Sequence, residues 1–186
     1  MLRYTILLFC VVISTSFGYD GHLAKLLRRR FMVNQISFTK CPNGFVRHDD
    51  SCYIVAHDIA DWPTALQYCE AYGAHLAFIE SEREQTFVAN HVKSILSSTT
   101  SDRYFWIGGT DAVSEGEWVW ALIVQPVIEY TNWSPGNPND ANGGKHQDCM
   151  AMYGATGQWD DGWCETEHNF ICEIDLDINS VPAVIG

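Results

Sequence analysis

The chain has 186 residues, 47% of them hydrophobic, and a formal net charge of −12. That length suffices for one ordinary hydrophobic core and is short for two, so we expect one folded domain with appendages. Residues 41–174 carry five basic and twenty acidic side chains, a net charge of −15. This excess disfavours nucleic acid as a partner, because phosphate binding requires cationic side chains. It suits cations or mineral surfaces as partners, or serves solubility alone.

The N-terminal residues have the pattern of a secretory signal. Arg3 precedes an apolar run from Tyr4 to Ile13, and small residues follow at positions 14, 16 and 18. The run is shorter than the roughly 20 residues that span a bilayer, which disfavours a membrane span and favours an extracellular protein. Arg28–Arg30 is either a processing site or part of a solvated stalk. The predicted division is a signal peptide at 1–18, a basic segment at 19–40, a folded domain at 41–174 and a short tail at 175–186.

Seven cysteines are present, and the predicted signal removes Cys10. The remaining even number, in an oxidising compartment, predicts three disulfides. Six cysteines permit fifteen pairings, and spacing alone does not choose among them. A zinc site is disfavoured because no CxxC pair occurs. The six are Cys41, Cys52, Cys69, Cys149, Cys164 and Cys172.

Turn residues and helical periodicity organise the first half of the domain. Residues 41–53 predict a turn-rich hairpin. A first helix is predicted to begin at the N-cap Asp61, with Pro63 in its first turn, and to end at Gly73. A second is predicted from Ser81, with Glu84 completing a capping box. The predicted apolar faces are Ala65, Leu66, Cys69 and Tyr72 on the first helix and Phe87, Val88, Val92, Ile95 and Leu96 on the second.

Short β-rich runs follow Ser101 and are separated by turn residues, which together with the helices predicts an α+β fold. The runs are Tyr104–Ile107, Trp118–Trp120 and Asn169–Cys172. A long irregular stretch extends from Trp133 to Asp148. Loops of that length inside compact domains are usually functional or disordered.

Ordered motifs in the second half carry a family resemblance. They are FWIGGTD at 105–111, EGEWVW at 115–120, NWSPGNPN at 132–139, Asp148-Cys149, WDD at 159–161, and Cys164 followed by FICE at 170–173. Over residues 41–173 the chain resembles the C-type lectin domain and, within that family, secreted invertebrate lectins of the perlucin-like type. The resemblance implies a double-loop α+β domain with two helices flanking antiparallel sheets. It also implies the disulfides Cys41–Cys52, Cys69–Cys172 and Cys149–Cys164.

The resemblance implies a primary calcium ion that contacts the sugar. Calcium takes hard oxygen ligands, which the long loop supplies. Pro138 is expected to be cis, turning both flanking side chains to one side. Alone, Asn-Pro-Asn-Asp would indicate an ordinary turn, but the downstream Trp-Asp-Asp and the flanking cysteines favour a site. The implied ligands are Asn137, Asn139, Gln147, Asp160 and Asp161, of which the first four are also expected to contact carbohydrate.

The loop departs from the family pattern in its charges. Calcium lectins commonly have Glu-Pro-Asn or Gln-Pro-Asp, whereas Asn137 and Asn139 are both amides and leave a sugar hydroxyl without its carboxylate acceptor. Gln147 stands where the family has Glu, and Asp160 where it has Asn. The usual mannose-or-galactose rule therefore does not transfer, and the preferred sugar is not predicted. Having fewer carboxylates, this position should bind calcium more weakly.

A second, auxiliary calcium position is implied with a complete set of acids. Four carboxylates directed at one point repel each other strongly unless a cation lies between them, although four solvated surface acids are the alternative. We expect this ion to bind more tightly and to order the long loop. The implied ligands are Asp111, Glu115, Asp140 and Asp148.

No enzyme motif of the GxSxG, HExxH, P-loop or dinucleotide-binding type occurs, so we expect a binding protein and no catalytic residues. The predicted function is a secreted, calcium-dependent lectin that binds glycans or glycoproteins, in defence (innate immunity) or in a shell-type matrix (biomineralisation). The alternatives are an acidic matrix protein that acts on calcium mineral and a calcium-independent protein-binding domain. Homo-oligomerisation is left open.

Overall fold

The computed structural model describes residues 38–96, 103–121, 125–127, 130–140 and 146–176. The predicted signal peptide, the Arg28–Arg30 run and nearly all of the predicted basic segment and tail lie outside the described residues. No described helix is long and apolar enough to cross a membrane. The described elements are, in chain order, β1 Val46–His48, β2 Ser51–Ala60, α1 Trp62–Ala71, β3 His75–Leu76, α2 Glu82–Ile95, β4 Tyr104–Thr110, β5 Val119–Trp120, β6 Gln125–Pro126, β7 Cys149–Tyr153, β8 Trp159–Gly162 and β9 His168–Asp175.

The first two strands form the predicted hairpin. β1 pairs antiparallel with β2, and Arg47 lies opposite Cys52. Asp49 occupies the turn at a φ of 47°, a left-handed conformation in which aspartate is enriched. β2 continues to Ala60, well beyond the predicted hairpin, because it also pairs with β9.

Helix α1 has the predicted caps. The carboxylate of Asp61 accepts the backbone N–H of Thr64 at 2.9 Å. Pro63 lies in the first turn, where its missing N–H costs no hydrogen bond. The chain leaves the helix through Gly73 at a φ of 69°. Tyr72, predicted on the buried face, is 63% exposed because it caps the helix and does not lie within it.

Helix α2 begins at the predicted N-cap, where Ser81 Oγ accepts the N–H of Glu84 at 3.2 Å. The side chain of Glu84 also bonds at the start of the helix. Glu84 Oε2 accepts the N–H of Glu80 at 2.9 Å, and its Oε1 accepts the hydroxyl of Tyr53. Glu84 is buried beside Tyr53, so its carboxylate is shielded from solvent. Ile95, predicted on the apolar face, is 42% exposed.

The nine described strands form one connected sheet in the order β1-β2-β9-β4-β5-β6. β3 pairs with β9, and β7 pairs with both β4 and β8. All of these pairs are antiparallel except β4 and β9, which run parallel. The predicted α+β class is confirmed, with one parallel pair that the antiparallel expectation did not include. β9 extends to Asp175, and Leu176 forms a bridge with Phe38.

The three disulfides implied by the resemblance are confirmed. Cys41–Cys52 closes the hairpin, and Cys69–Cys172 joins α1 to β9. Cys149–Cys164 joins β7 to the segment after β8. Such cross-links stabilise chiefly by reducing the conformational freedom of the unfolded chain. The third one also restrains β8, the strand that contains two of the predicted calcium ligands.

A buried polar cluster joins β3 to the end of β9. His75 is 5% exposed, its Nε2 lies 3.7 Å from Asp175 Oδ2, and its Nδ1 lies 2.8 Å from the carbonyl oxygen of Leu76. Burial lowers the pKa of His75. The neighbouring carboxylate of Asp175 and the charge of Glu173 outweigh burial, so the pKa lies above its ordinary value.

We predict that His75 makes the free energy of unfolding depend on pH. A histidine whose folded pKa is raised contributes stability that is fully present below its unfolded pKa of about 6.5 and is lost as pH rises through the folded pKa. Urea unfolding of the wild type and of His75→Gln should therefore give a stability difference that is largest at acidic pH and shrinks on the alkaline side.

His91 on α2 supplies the control, because burial lowers its pKa. The sign reverses, so the stability difference between the wild type and His91→Gln should grow in favour of the wild type as pH rises. A His75→Gln difference that stays constant from acidic to alkaline pH would show that His75 is not held protonated by its carboxylate neighbours.

Candidate functional site

The start of the long loop is hydrogen-bonded to strand β8. The N–H of Trp159 donates to the carbonyl oxygen of Asn132 at 2.8 Å, and the N–H of Ser134 donates to that of Trp159 at 2.8 Å. The rings of Trp133 and Trp159 meet edge to face with centroids 5.8 Å apart. These contacts fix the position of the loop relative to the Trp-Asp-Asp motif.

Gln85 on α2 forms hydrogen bonds to this junction. It is buried, its Nε2 donates to the carbonyl oxygen of Gly157 at 2.8 Å, and its Oε1 accepts the indole N–H of Trp159 at 2.7 Å. Asn132 Nδ2 donates to the same Gly157 oxygen at 2.9 Å. Sequence analysis missed Gln85, although its spacing of three residues from the buried Val88 was a signal of the inward face.

The Asn-Pro-Asn segment faces strand β8. The peptide bond between Asn137 and Pro138 is cis, as expected. Asn137 Nδ2 donates to Ser134 Oγ at 2.9 Å and also to Asp160 Oδ1. Asn139 Nδ2 donates to Asn137 Oδ1. The two amides and Asp160 thus form one hydrogen-bonded group.

Asp161 ties the loop to β8 through its carboxylate. Its Oδ2 accepts the backbone N–H of Asn139 at 2.9 Å and that of Asp140 at 2.7 Å. Its carbonyl oxygen accepts Gln147 Nε2 at 3.1 Å. Asp161 is 4% exposed, and its Oδ1 is buried with no hydrogen-bond partner among the described residues. All five residues predicted for the primary calcium are therefore joined in one connected set of hydrogen bonds.

Tyr104 at the start of β4 orients the other β8 carboxylate. Its hydroxyl donates to Asp160 Oδ2 at 3.1 Å. Burial, with a contribution from the neighbouring Asp161, raises the pKa of Asp160. Burial and the charge of Asp160 raise the pKa of Tyr104 to about 12, so this hydroxyl is a donor at neutral pH. Tyr104 was predicted only as a strand residue.

Asp111 lies at the end of β4 and is 4% exposed. Its Oδ2 accepts the N–H of Gly116 at 3.0 Å, a glycine with a φ of 77°. Burial, together with the charges of Glu115 and Asp148, raises the pKa of Asp111 to about 6. Its Oδ1 is buried with no hydrogen-bond partner in the described part of the chain.

His146 lies among the predicted auxiliary ligands and was not predicted. Its Nδ1 is 3.1 Å from Glu115 Oε2 and 3.2 Å from Asp140 Oδ2. Ligand atoms of Glu115, His146 and Asp148 lie within 4.8 Å of one another. The charge of Asp140 and its hydrogen bond raise the pKa of His146, with Glu115 adding to the effect. Its position in the sequence between the predicted ligands Asp140 and Asp148 was the available signal.

Both predicted groups meet in one cleft of about 250 Å³, which we call the calcium cleft. The oxygen-rich ligand set and the two buried carboxylate oxygens without partners, Asp111 Oδ1 and Asp161 Oδ1, fit a hard divalent cation. Six of the nine predicted residues line the cleft, while the other three, Asn137, Asp160 and Asp148, contact or approach the cleft residues. The lining predicted residues are Asp111, Glu115, Asn139, Asp140, Gln147 and Asp161.

Comparison with known proteins identifies close relatives of this domain. The family model described as "Lectin C-type domain" matches residues 59–174. Human C-type lectin domain family 10 member A is 36% identical over 141 residues, which cover 74% of this chain and 41% of the human protein. Perlucin from Haliotis laevigata is 33% identical over 135 residues, which cover 72% of this chain and 82% of perlucin. This chain therefore spans about two fifths of the human relative. The carbohydrate-recognition domain of cow CD23, solved in the presence of a GlcNAc2Man3 oligosaccharide, superposes with a TM-score of 0.63 at 33% identity, covering 74% of this chain and 97% of that domain.

Proposed function

Because the chain belongs to the C-type lectin domain family, we propose that it binds carbohydrate through calcium held in the calcium cleft. The observation that carries the proposal is the contact of side-chain amides and a backbone N–H of the loop with Asp160 and Asp161 of β8. A buried carboxylate oxygen without a partner is costly, and a cation removes that cost. Asp161 Oδ1 and Asp111 Oδ1 are two such atoms within this site.

At the primary position, both the ion and the protein side chains would contact the sugar. When bound, calcium offers coordination positions to the hydroxyl oxygens of a sugar. Asp160 would accept a hydrogen bond from a sugar hydroxyl, and side-chain amides would donate hydrogen bonds to hydroxyl oxygens. The residues that would hold the ion are Asn137, Asn139, Gln147, Asp160 and Asp161.

The polarity of this site favours sugars that place their donor hydroxyl toward β8. Asn137 and Asn139 both present amide groups, whereas Asp160 presents the carboxylate. One Asp160 oxygen accepts the hydroxyl of Tyr104 and the other accepts Asn137 Nδ2. A hydroxyl that donates must therefore lie on the Asp160 side and one that accepts on the loop side. This arrangement differs from both charge patterns that separate mannose-type from galactose-type binding in the family.

The auxiliary position would be held by Asp111, Glu115, Asp140 and Asp148. His146 lies against two of these carboxylates and offers one further ligand atom. Asp140 follows Asn139 directly, and both backbone N–H groups bond to Asp161. An ion that holds Asp140 in place therefore also holds the primary position.

We further propose that the protein acts outside the cell, with glycans or glycoproteins as partners. The signal-like pattern at residues 1–18 and the three disulfides support this location, because such bonds persist in oxidising compartments. Defence recognition and shell-type matrix formation both remain predictions, as does homo-oligomerisation.

A glycan array probed with and without a chelator tests the proposal. We predict retention of a subset of glycans in calcium and loss of essentially all of it in EDTA, because the sugar hydroxyls bind the ion directly. Chelator-insensitive binding to protein would favour the protein-binding alternative. Absence of glycan binding combined with altered calcium carbonate growth would favour the mineral-binding alternative.

Two substitutions should change calcium binding in opposite directions. Asp111→Asn removes an auxiliary ligand and should weaken glycan binding by roughly 10- to 100-fold although Asp111 touches no sugar, because the primary position forms only when Asp140 is held. Gln147→Glu adds a carboxylate to the primary position and should raise its calcium affinity by about tenfold. Calorimetry should resolve two calcium events in the wild type and show which event each substitution alters.

Matched controls separate these effects from general changes in charge. Asp58→Asn and Gln67→Glu change the same charges at exposed positions outside the calcium cleft and should leave both calcium events unchanged. If Asp111→Asn preserves calcium uptake and glycan affinity, then the auxiliary position does not exist. If Gln147→Glu leaves calcium binding as in the wild type, then Gln147 is not a ligand.

A further inference from the structure

Two clefts meet at Arg103 and Asn169, and neither shares a lining residue with the calcium cleft. They have volumes of about 210 and 290 Å³, and both are lined by these two residues. They lie where β2 ends and where β4 and β9 begin. We refer to them together as the Arg103 cleft.

Asn169 fixes the direction of the arginine. It is 5% exposed, and its Nδ2 donates to the carbonyl oxygens of residues 56, 57 and 58 at 3.2, 3.0 and 3.1 Å. Its Oδ1 must therefore point the other way, where it accepts Arg103 Nη1 at 3.1 Å. The carbonyl oxygen of Arg103 also accepts the N–H of Gly154 at 2.8 Å, so both the backbone and the side chain of Arg103 are held.

Arg103 has no ion-pair partner within the part of the chain that the structure describes. The contrast is Arg83, whose Nη2 lies 2.7 Å from Asp49 Oδ1. A guanidinium has five N–H donors, and only one of those of Arg103 is used by Asn169. In a domain with a net charge of −15, an exposed and oriented arginine with no carboxylate partner among the described side chains is unexpected for a purely structural role.

We propose that the Arg103 cleft binds a single anionic group, a carboxylate or a sulfate, carried by a saccharide. The fork of an arginine matches the paired oxygens of either group. His57 lines the smaller half of the cleft and His168 the larger half, and both supply further polar atoms. Glu167 also lines the larger half, where its carboxylate would repel a ligand that carries more than one negative charge.

The size and charge of the surroundings favour one anionic group over a polyanion. Each half of the cleft is smaller than a typical site for a drug-sized ligand, so it accommodates one ring and its substituent. Charges separated by more than about 8 Å are largely screened at physiological salt, so the group senses the lining residues Arg103 and Glu167 more than the acids outside the cleft. A long polyanion would meet those acids along its length.

Tyr104 indicates a saccharide as the carrier. Its ring lines the larger half of the cleft and packs against His168, with centroids 5.6 Å apart, while its hydroxyl bonds to Asp160. The Arg103 cleft thus adjoins a residue that we assign to carbohydrate binding. The saccharide class rests on the proposed function, whereas the anion site itself does not.

The test measures binding of three disaccharides to the full mature chain: one sulfated, one with a uronic carboxylate and one neutral. Each is titrated in calcium and in EDTA. We expect the two acidic disaccharides to bind in EDTA and the neutral one not to bind. The ratio of the affinities of the two acidic disaccharides identifies the preferred anion. Arg103→Gln should weaken that binding by roughly tenfold to a hundredfold, and Arg103→Lys by less, because lysine keeps the charge and loses the fork.

Controls separate the site from general electrostatics and from the proposed function. Arg47→Gln removes the same charge at an exposed position and should bind as the wild type. Ile59→Asp, at a 56% exposed position of the cleft, should weaken binding by repulsion without touching the Asn169 contact. Equal losses in Arg103→Gln and Arg47→Gln, or equal binding of the neutral disaccharide, would overturn the anion site. Equal binding of an acidic peptide would overturn the saccharide class. If the wild type lacks calcium-dependent glycan binding but keeps the chelator-insensitive binding of the acidic disaccharides, the proposed function is refuted and the anion site stands.

Discussion

The carboxylate of Asp161 is the contact on which the functional part of the molecule depends. One oxygen accepts two consecutive backbone N–H groups of the long loop, those of Asn139 and Asp140. The other oxygen is buried with no hydrogen-bond partner among the described residues. The same side chain thus anchors the loop and presents an uncompensated charge to the cleft. An apolar or neutral replacement could not do both.

The core beneath β8 makes that contact possible. Trp159, the residue before the two aspartates, is fully buried, and Gln85 on α2 accepts its indole N–H. The Cys149–Cys164 disulfide restrains the far end of the same strand. Rigid support below the cleft matters because a metal site needs its ligands held in place before the ion arrives. Binding energy is then not spent on ordering the strand.

Sequence reasoning succeeded where a residue's role is local. Asp61 and Ser81 were found as helix caps because a cap acts within three residues of its own position. The family resemblance correctly gave the disulfide pairing, which spacing alone could not give. The nine predicted site residues were brought together, although their roles as ligands stay predictions.

Reasoning from the sequence failed where a role is set by distant contacts. Gln85 acts on Trp159, which is 74 residues away, and Asn169 acts on Arg103 across 66 residues. β7 was missed because its residues are buried on both faces and show no alternation. The carboxylate of Glu84 also bonds to a long-range partner, Tyr53, which local capping rules do not indicate. In each case tertiary contacts outweighed local preference.

The most direct test of the calcium cleft is a crystal structure of the protein grown with calcium, with anomalous scattering used to locate the ions. The account predicts one ion at a calcium–oxygen distance of about 2.3–2.6 Å from Asp161 Oδ1 and another at the same distance from Asp111 Oδ1. A structure at saturating calcium in which both oxygens bind only water or protein donors would contradict it.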